Sequence, residues 1–253
     1  MDIKKVLDEQ VNLINTKDFI KNDPVQFPHR FKSLQDIEIT AFTTATIAWG
    51  KREMILRSAD RMLALMGNTP YDFVMNRGYE TLEKANVHRT FFQPDLAYML
   101  RGFNNIYTKY GSIDNMISQK GIANSNSPAW DLCCALRSET ASANGDCNNP
   151  QCFPANFTKS ALKRINLAVR WLVRNDGIVD LGVWHSITPD KLYIPLDLHV
   201  GNTARKLGIL TRKSNDRRAV EELTSVLRTY NSKDPIIYDF ALFGIGINKI
   251  DTE

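Results

Sequence analysis

Residues 160–174 read SALKRINLAVRWLVR and residues 194–210 read IPLDLHVGNTARKLGIL. In the first segment Leu162, Ile165, Val169, Leu172 and Val173 recur at three- and four-residue spacing and mark the buried stripe of a helix over 159–174. Lys163, Asn166, Arg170 and Arg174 fall along a neighbouring side. In the second segment Asp197 follows Pro195-Leu196 and opens a helix that stops at a Leu-Gly end. Taken separately, both residues have ordinary explanations. A lysine beside an apolar stripe extends its stem along the surface, and an aspartate at a helix start caps backbone N–H groups. Taken together, an amine and a fixed carboxylate are the groups that attack a sugar carbon and hold a Schiff base.

Helical periodicity also dominates outward from these segments. Residues 2–20 read as an opening helix that stops before Asn22-Asp23-Pro24. Asp36 starts the next run, and a break near Gly50 divides 37–66 into two helices, the second stopped by Gly67-Asn68-Thr69-Pro70. A short helix begins at Pro70, 86–92 is the extended or irregular piece, and 95–110 and 113–120 resume helical spacing. Residues 129–137 form a short helix and 138–156 a loop rich in Ser, Asn, Gly, Pro and Cys, of a length that is either functional or mobile. A helix over 217–230 leads to the terminal segment DPIIYDFALFGIGINK. Strand signals are short and scattered, so the expected fold class is all-α.

Composition sets outer limits. The 253 residues carry 43% apolar content and a net charge of +4, an ordinary soluble composition that does not by itself argue for nucleic acid. No apolar run approaches the roughly 18 to 20 residues of a membrane span, and MDIKKVLDEQVNLIN is charged and amphipathic, so the expected location is the cytoplasm, without a membrane partner. Cys133, Cys134, Cys147 and Cys152 read as free thiols; Cys147 and Cys152 could supply half of a zinc site with His185 or His199, on weak spacing. Gly244 and Gly246 lack the third glycine of a dinucleotide fingerprint and indicate close helix packing or a helix end.

The run around Asp197 resembles the aspartate-bearing segment of the helix-hairpin-helix DNA glycosylase superfamily, in which a proline, an apolar residue and Asp precede a helix with a basic residue before a Leu-Gly end. The Lys163 helix resembles the lysine helix of the bifunctional members. The separation of 34 positions between Lys163 and Asp197 is most similar to that of archaeal 8-oxoguanine DNA glycosylases. YDFALFGIGINK is similar to the C-terminal helix of related 8-oxoguanine glycosylases, and the whole chain looks like an uncharacterised bacterial family related to them. The likeness covers the C-terminal hundred residues or so and, more loosely, residues 36–66. Phe153-Pro154-Ala155-Asn156-Phe157 stands where the superfamily has its glycine-rich hairpin turn. The four cysteines precede the aspartate, which does not support an endonuclease III type of iron–sulfur cluster.

The resemblance implies a two-lobed helical fold, with lobes over 1–35 plus 155–253 and over 36–154. It implies excision of an oxidised purine such as 8-oxoguanine from double-stranded DNA, with no cofactor, no metal and no obligate protein partner. Lys163 is the nucleophile and Asp197 the carboxylate. Trp49, Trp184, His185 and Phe153 are candidates for the base pocket or the vacated base stack, each with core packing or a helix junction as the competing reading; Phe91 and Phe92 are further wedge candidates. Lys51, Arg52, Arg164, Arg170, Arg205, Lys206, Arg212 and Lys213 are candidates for DNA contacts. Two other functions fit the same expected fold: a DNA- or RNA-binding module without catalysis, and an alkylbase glycosylase that needs Asp197 alone.

Overall fold

In a computed structural model describing residues 2–248, the opening run divides where a side chain leaves the helix. Helix α1 (Ile3–Ile14) is capped by Asp2, whose carboxylate accepts the Lys5 N–H at 3.3 Å. It ends because buried Asn15 turns away to donate to Asp176 at 2.7 Å, and α2 (Lys17–Lys21) follows as a separate short helix. Two 3-10 turns starting at Pro24 and Pro28 then lead into α3 (Leu34–Thr46). The cap of α3 is Ser33, not the expected Asp36, because its Oγ accepts the Asp36 N–H at 3.2 Å.

Every residue of α3 from Ile37 to Thr46 is buried, so this helix is wrapped on all sides and carries no polar stripe. Helix α4 (Arg52–Leu65) follows the break at Gly50, whose φ of +98° is open to glycine and strained for other residues. Next come α5 (Pro70–Met75) and a two-stranded antiparallel hairpin, β1 (Asn86–His88) with β2 (Phe91–Phe92), in the region expected to be extended. Helices α6 (Gln93–Tyr110), α7 (Ile113–Gln119) and α8 (Pro128–Ser142) complete this half of the sequence. The expected short helix over 129–137 therefore runs longer, and the loop begins after it.

Residues 143–162 are irregular and contain no glycine-rich hairpin, in line with the FPANF sequence found there. Helix α9 (Lys163–Val173) starts four residues later than the apolar period suggests, because Leu162 takes a left-handed conformation with φ +50°. Helices α10 (Leu198–Lys206), α11 (Arg217–Tyr230) and α12 (Tyr238–Asn248) follow. Helix makes up 62% of the structure and strand 3%, which establishes the all-α class. No helix among the described residues is long and apolar enough to cross a membrane.

Two packing features position the site. Helix α3 lies along α9. Helix α12 is gripped between α1 and α10: a Cβ on Gly244 would come within 2.6 Å of Ile14, and one on Gly246 within 2.8 Å of Thr203. The terminal glycines are thus places where helices approach closely.

The supposed polar side of α9 is not solvated. Asn166, Arg170 and Arg174 are all buried, and the two arginines enter an ion network. Arg170 binds Asp239 and lies 3.3 Å from Asp180; Arg174 binds Asp180, Asp176 at 3.1 Å and Asp234 at 2.9 Å. Buried charges survive only when paired in this way. The network joins α9 to α12 and to the turns that flank both.

Candidate active site

A cavity of about 1000 Å³ opens between the ends of α3, α9, α10 and α12 and the connector that carries Asp23. Its lining includes Lys163 and Asp197, the two residues singled out from sequence.

The last carbonyl of α3 and one in the turn just after it have their partners in the first residues of α9. Lys163 donates to the Ala48 carbonyl at 2.8 Å, and Arg164 donates to Thr46 at 3.3 Å and to Gln151 at 2.7 Å. Lys163 is therefore held by one main-chain oxygen, and no carboxylate among the described residues lies within the 4.0 Å limit of an ion pair with it. Burial lowers its proton affinity below the ordinary lysine value, opposed by attraction from Asp197, Asp239 and Asp23 in that order. A shift in this direction favours the neutral, nucleophilic form of the amine.

Asp197 caps α10, with its Oδ1 accepting the Val200 N–H at 2.9 Å. The cap is braced from outside: Asn215 donates to the Asp197 carbonyl at 2.9 Å and accepts from Arg205 at 2.5 Å. Asp239 is brought in by α12 and paired with Arg170; burial pushes its carboxyl up to about 6. Asp23 is buried beside the same cavity, with its carboxyl raised by burial. Three carboxyl groups thus face one amine.

Aromatic rings supply the walls. Phe19 meets Phe240 edge-on at 5.4 Å and Phe243 at 6.1 Å, and all three line the cavity. Trp49 also lines it, oriented by an edge-on contact with His88 at 5.0 Å and by the His88 ring, which bonds the Trp49 carbonyl at 2.8 Å. Arg52 reaches the same space from the first turn of α4, with its guanidinium 5.1 Å from the Phe243 ring centre.

Other expected site residues are placed differently. Trp184 is buried against Phe42, and its indole donates to Glu38 at 2.8 Å, so it is a core residue away from the cavity. The His185 N–H is bound to Asp114 at 3.1 Å, which keeps that turn on α7. Phe153 and Phe91 are buried in the core, whereas Phe92 is 43% exposed. Arg170 is closed in by its two aspartates and cannot lie along a DNA surface. Arg164 is spent on main-chain oxygens and on the Trp49 face at 5.6 Å, Arg205 on Arg212 O and Asn215, and Arg212 on Asp216. Lys51, Lys206 and Lys213 are exposed, outside the cavity lining.

Cys133 and Cys152 are buried free thiols, the first pushed up to about 12 by burial, while Cys134 and Cys147 are exposed. Among the described residues no group of three or more His, Cys, Asp or Glu side chains is arranged to hold a metal ion.

Sequence reasoning missed Asp23, Asp239, Gln151 and the Phe19–Phe240–Phe243 wall, all of which line the cavity, and considered His199, also in the lining, only as a zinc ligand. One signal was available: Asp239 is a lone charge inside the apolar run PIIYDFALF, a position that requires a partner or a function.

Residues 23–248 match the family described as protein of unknown function DUF2400, and the chain belongs to that family. Neither the curated proteins nor the solved structures contain a significant match to it.

Proposed function

We propose that this DUF2400 protein is a DNA base-excision glycosylase with lyase action, removing an oxidised purine such as 8-oxoguanine from double-stranded DNA. In this reading the helices form the two-lobed helix-hairpin-helix glycosylase arrangement, without its usual glycine-rich turn. The observation that carries the reading is the half-buried Lys163, its amine tethered by one carbonyl, in a cavity large enough for a base and also lined by Asp197.

The flipped nucleotide enters between the aromatic walls. The neutral amine forms a bond to the sugar C1′ as the bond from C1′ to the base nitrogen breaks, and the base departs with the bonding electron pair. Asp197, fixed by its cap, stabilises the positive charge that develops on the sugar and takes a proton from the attacking nitrogen. Ring opening gives a Schiff base on Lys163, and loss of a C2′ proton then expels the 3′ phosphate. Arg52 and exposed Lys51, at the start of α4 beside the cavity mouth, are suited to backbone phosphates.

Borohydride trapping tests this on two duplexes, one carrying 8-oxoguanine and one an abasic site, with wild type and Lys163→Gln. An adduct on the 8-oxoguanine duplex that is absent from the variant is the expected result. Trapping on abasic DNA alone keeps the lyase and removes the assigned base. Absence of any adduct while DNA binding persists sinks the nucleophile assignment and leaves a binding module or a glycosylase that works without the lysine.

A further inference from the structure

Asp23 has no part in the chemistry assigned to Lys163 and Asp197. It lies in the turn after α2 and is only 9% exposed, yet it lines the cavity. Its Oδ1 accepts the Val25 N–H at 3.0 Å, while among the described residues no donor is bonded to Oδ2, and the residue lines the cavity.

A carboxyl group this deeply placed ordinarily has a cation against it. Here the cations that act on Asp23 are Arg170, Arg52 and Lys163, and each is engaged elsewhere. Arg170 is held by Asp239 and Asp180, Arg52 sits over Phe243, and Lys163 is bound to Ala48. The result is a fixed acceptor with positive charge around it and no protein donor on its open oxygen. A polar group converging on an apolar-walled pocket with its partner missing is how a ligand-reading residue is built.

We infer that Asp23 is the acceptor that reads a ring N–H on the flipped base, selecting bases with a lactam edge, an N–H beside a carbonyl, as in 8-oxoguanine. The inference rests on the glycosylase reading of the cavity. A ring nitrogen carrying a lone pair would meet the Asp23 oxygen acceptor to acceptor, and such a mismatch in a dry site discriminates strongly. Burial raises the Asp23 carboxyl, opposed by the Val25 N–H and by the charges of Arg170, Arg52 and Lys163; a ring N–H donated to Oδ2 adds to that opposition and favours the carboxylate acceptor.

Asp23→Asn is a selective test, because the amide oxygen can still accept the Val25 N–H while an NH₂ replaces the free acceptor. Asp23→Ser, which keeps a capping oxygen and withdraws the second one, serves if the Asn variant does not fold. Excision is measured on duplexes carrying 8-oxoguanine, hypoxanthine, uracil or ethenoadenine, beside trapping on an abasic duplex. In the variant, excision of the lactam base used by wild type should fall about 100-fold. Trapping on abasic DNA, which has no base to read, should stay within about 2-fold of wild type when each protein is compared on the high-pH plateau of its own profile, where the attraction of Asp23 for the Lys163 proton no longer matters.

Unchanged excision by the variant overturns the assignment of Asp23 and leaves the glycosylase reading intact. Loss of both activities in a folded variant makes Asp23 part of the chemistry and also overturns it. Wild-type excision of ethenoadenine alone, or of no base in the set despite abasic trapping, overturns the lactam selection. A wild-type protein inactive on every duplex sinks the glycosylase reading and the Asp23 assignment with it.

Discussion

The Lys163 amine donates to the Ala48 carbonyl at 2.8 Å, so it is tied to the turn after α3 and not to the carboxylate of Asp197. An ammonium has three protons to place and finds one acceptor here. A neutral amine donates one proton to that acceptor and keeps a lone pair for an electrophile in the cavity.

This arrangement sets a pH dependence. Trapping on an abasic duplex should rise with pH and reach half its maximum below 10.5, since burial depresses the proton affinity of Lys163 from that value. Asp197 is the largest attraction holding the proton on, so Asp197→Asn should move the midpoint still lower while slowing the reaction. A rate profile over about pH 6 to 10 measures both effects. A midpoint that does not move in the variant would mean that the two groups are not coupled.

Capping and chemistry at Asp197 can be separated by stability. Asp197→Ala removes the acceptor of the Val200 N–H and should cost about 1 kcal/mol in urea unfolding, whereas Asp197→Asn keeps a capping oxygen and should cost a few tenths. Both variants should lose base excision if the carboxylate charge is required. Activity retained by the Asn variant would reduce Asp197 to a cap.

Glu38, a fully buried carboxyl, should leave a pH signature in stability. It accepts from Ile113 N–H and Asp114 N–H, each at 3.0 Å, and from the Trp184 indole at 2.8 Å, and burial raises it from 4.5 to about 7. Because the folded value is the higher one, the native state keeps this proton longer than the unfolded chain. The contribution is complete below pH 4.5 and is lost as pH rises to about 7, a change of roughly 3 kcal/mol. Urea titrations of wild type and Glu38→Gln across that window should diverge by an amount of this order, and parallel curves would refute the assignment.

The two segments around Lys163 and Asp197 were legible because a helix period and a cap are local signals, and the cavity contains both residues. The all-α class followed from the same periodicity. The failures have one origin. Trp184, Phe153 and Arg170 are residue types that suit either a pocket or a core, and the choice depends on distant partners such as Glu38 and Asp239. Periodicity assigned Asn166, Arg170 and Arg174 to a polar side, whereas carboxylates from two other segments make that side an interior one. Asp23 was invisible for the same reason, since only the fold carries the turn after α2 to the start of α9.

Lys163 is the first residue of α9 and Asp197 the cap of α10, so two helices present their N-terminal ends to a single cavity. Each end projects the positive pole of its aligned peptide dipoles. That field disfavours an ammonium at Lys163, so the main chain itself acts in the same direction as burial on this amine. It also favours any leaving group that departs as an anion.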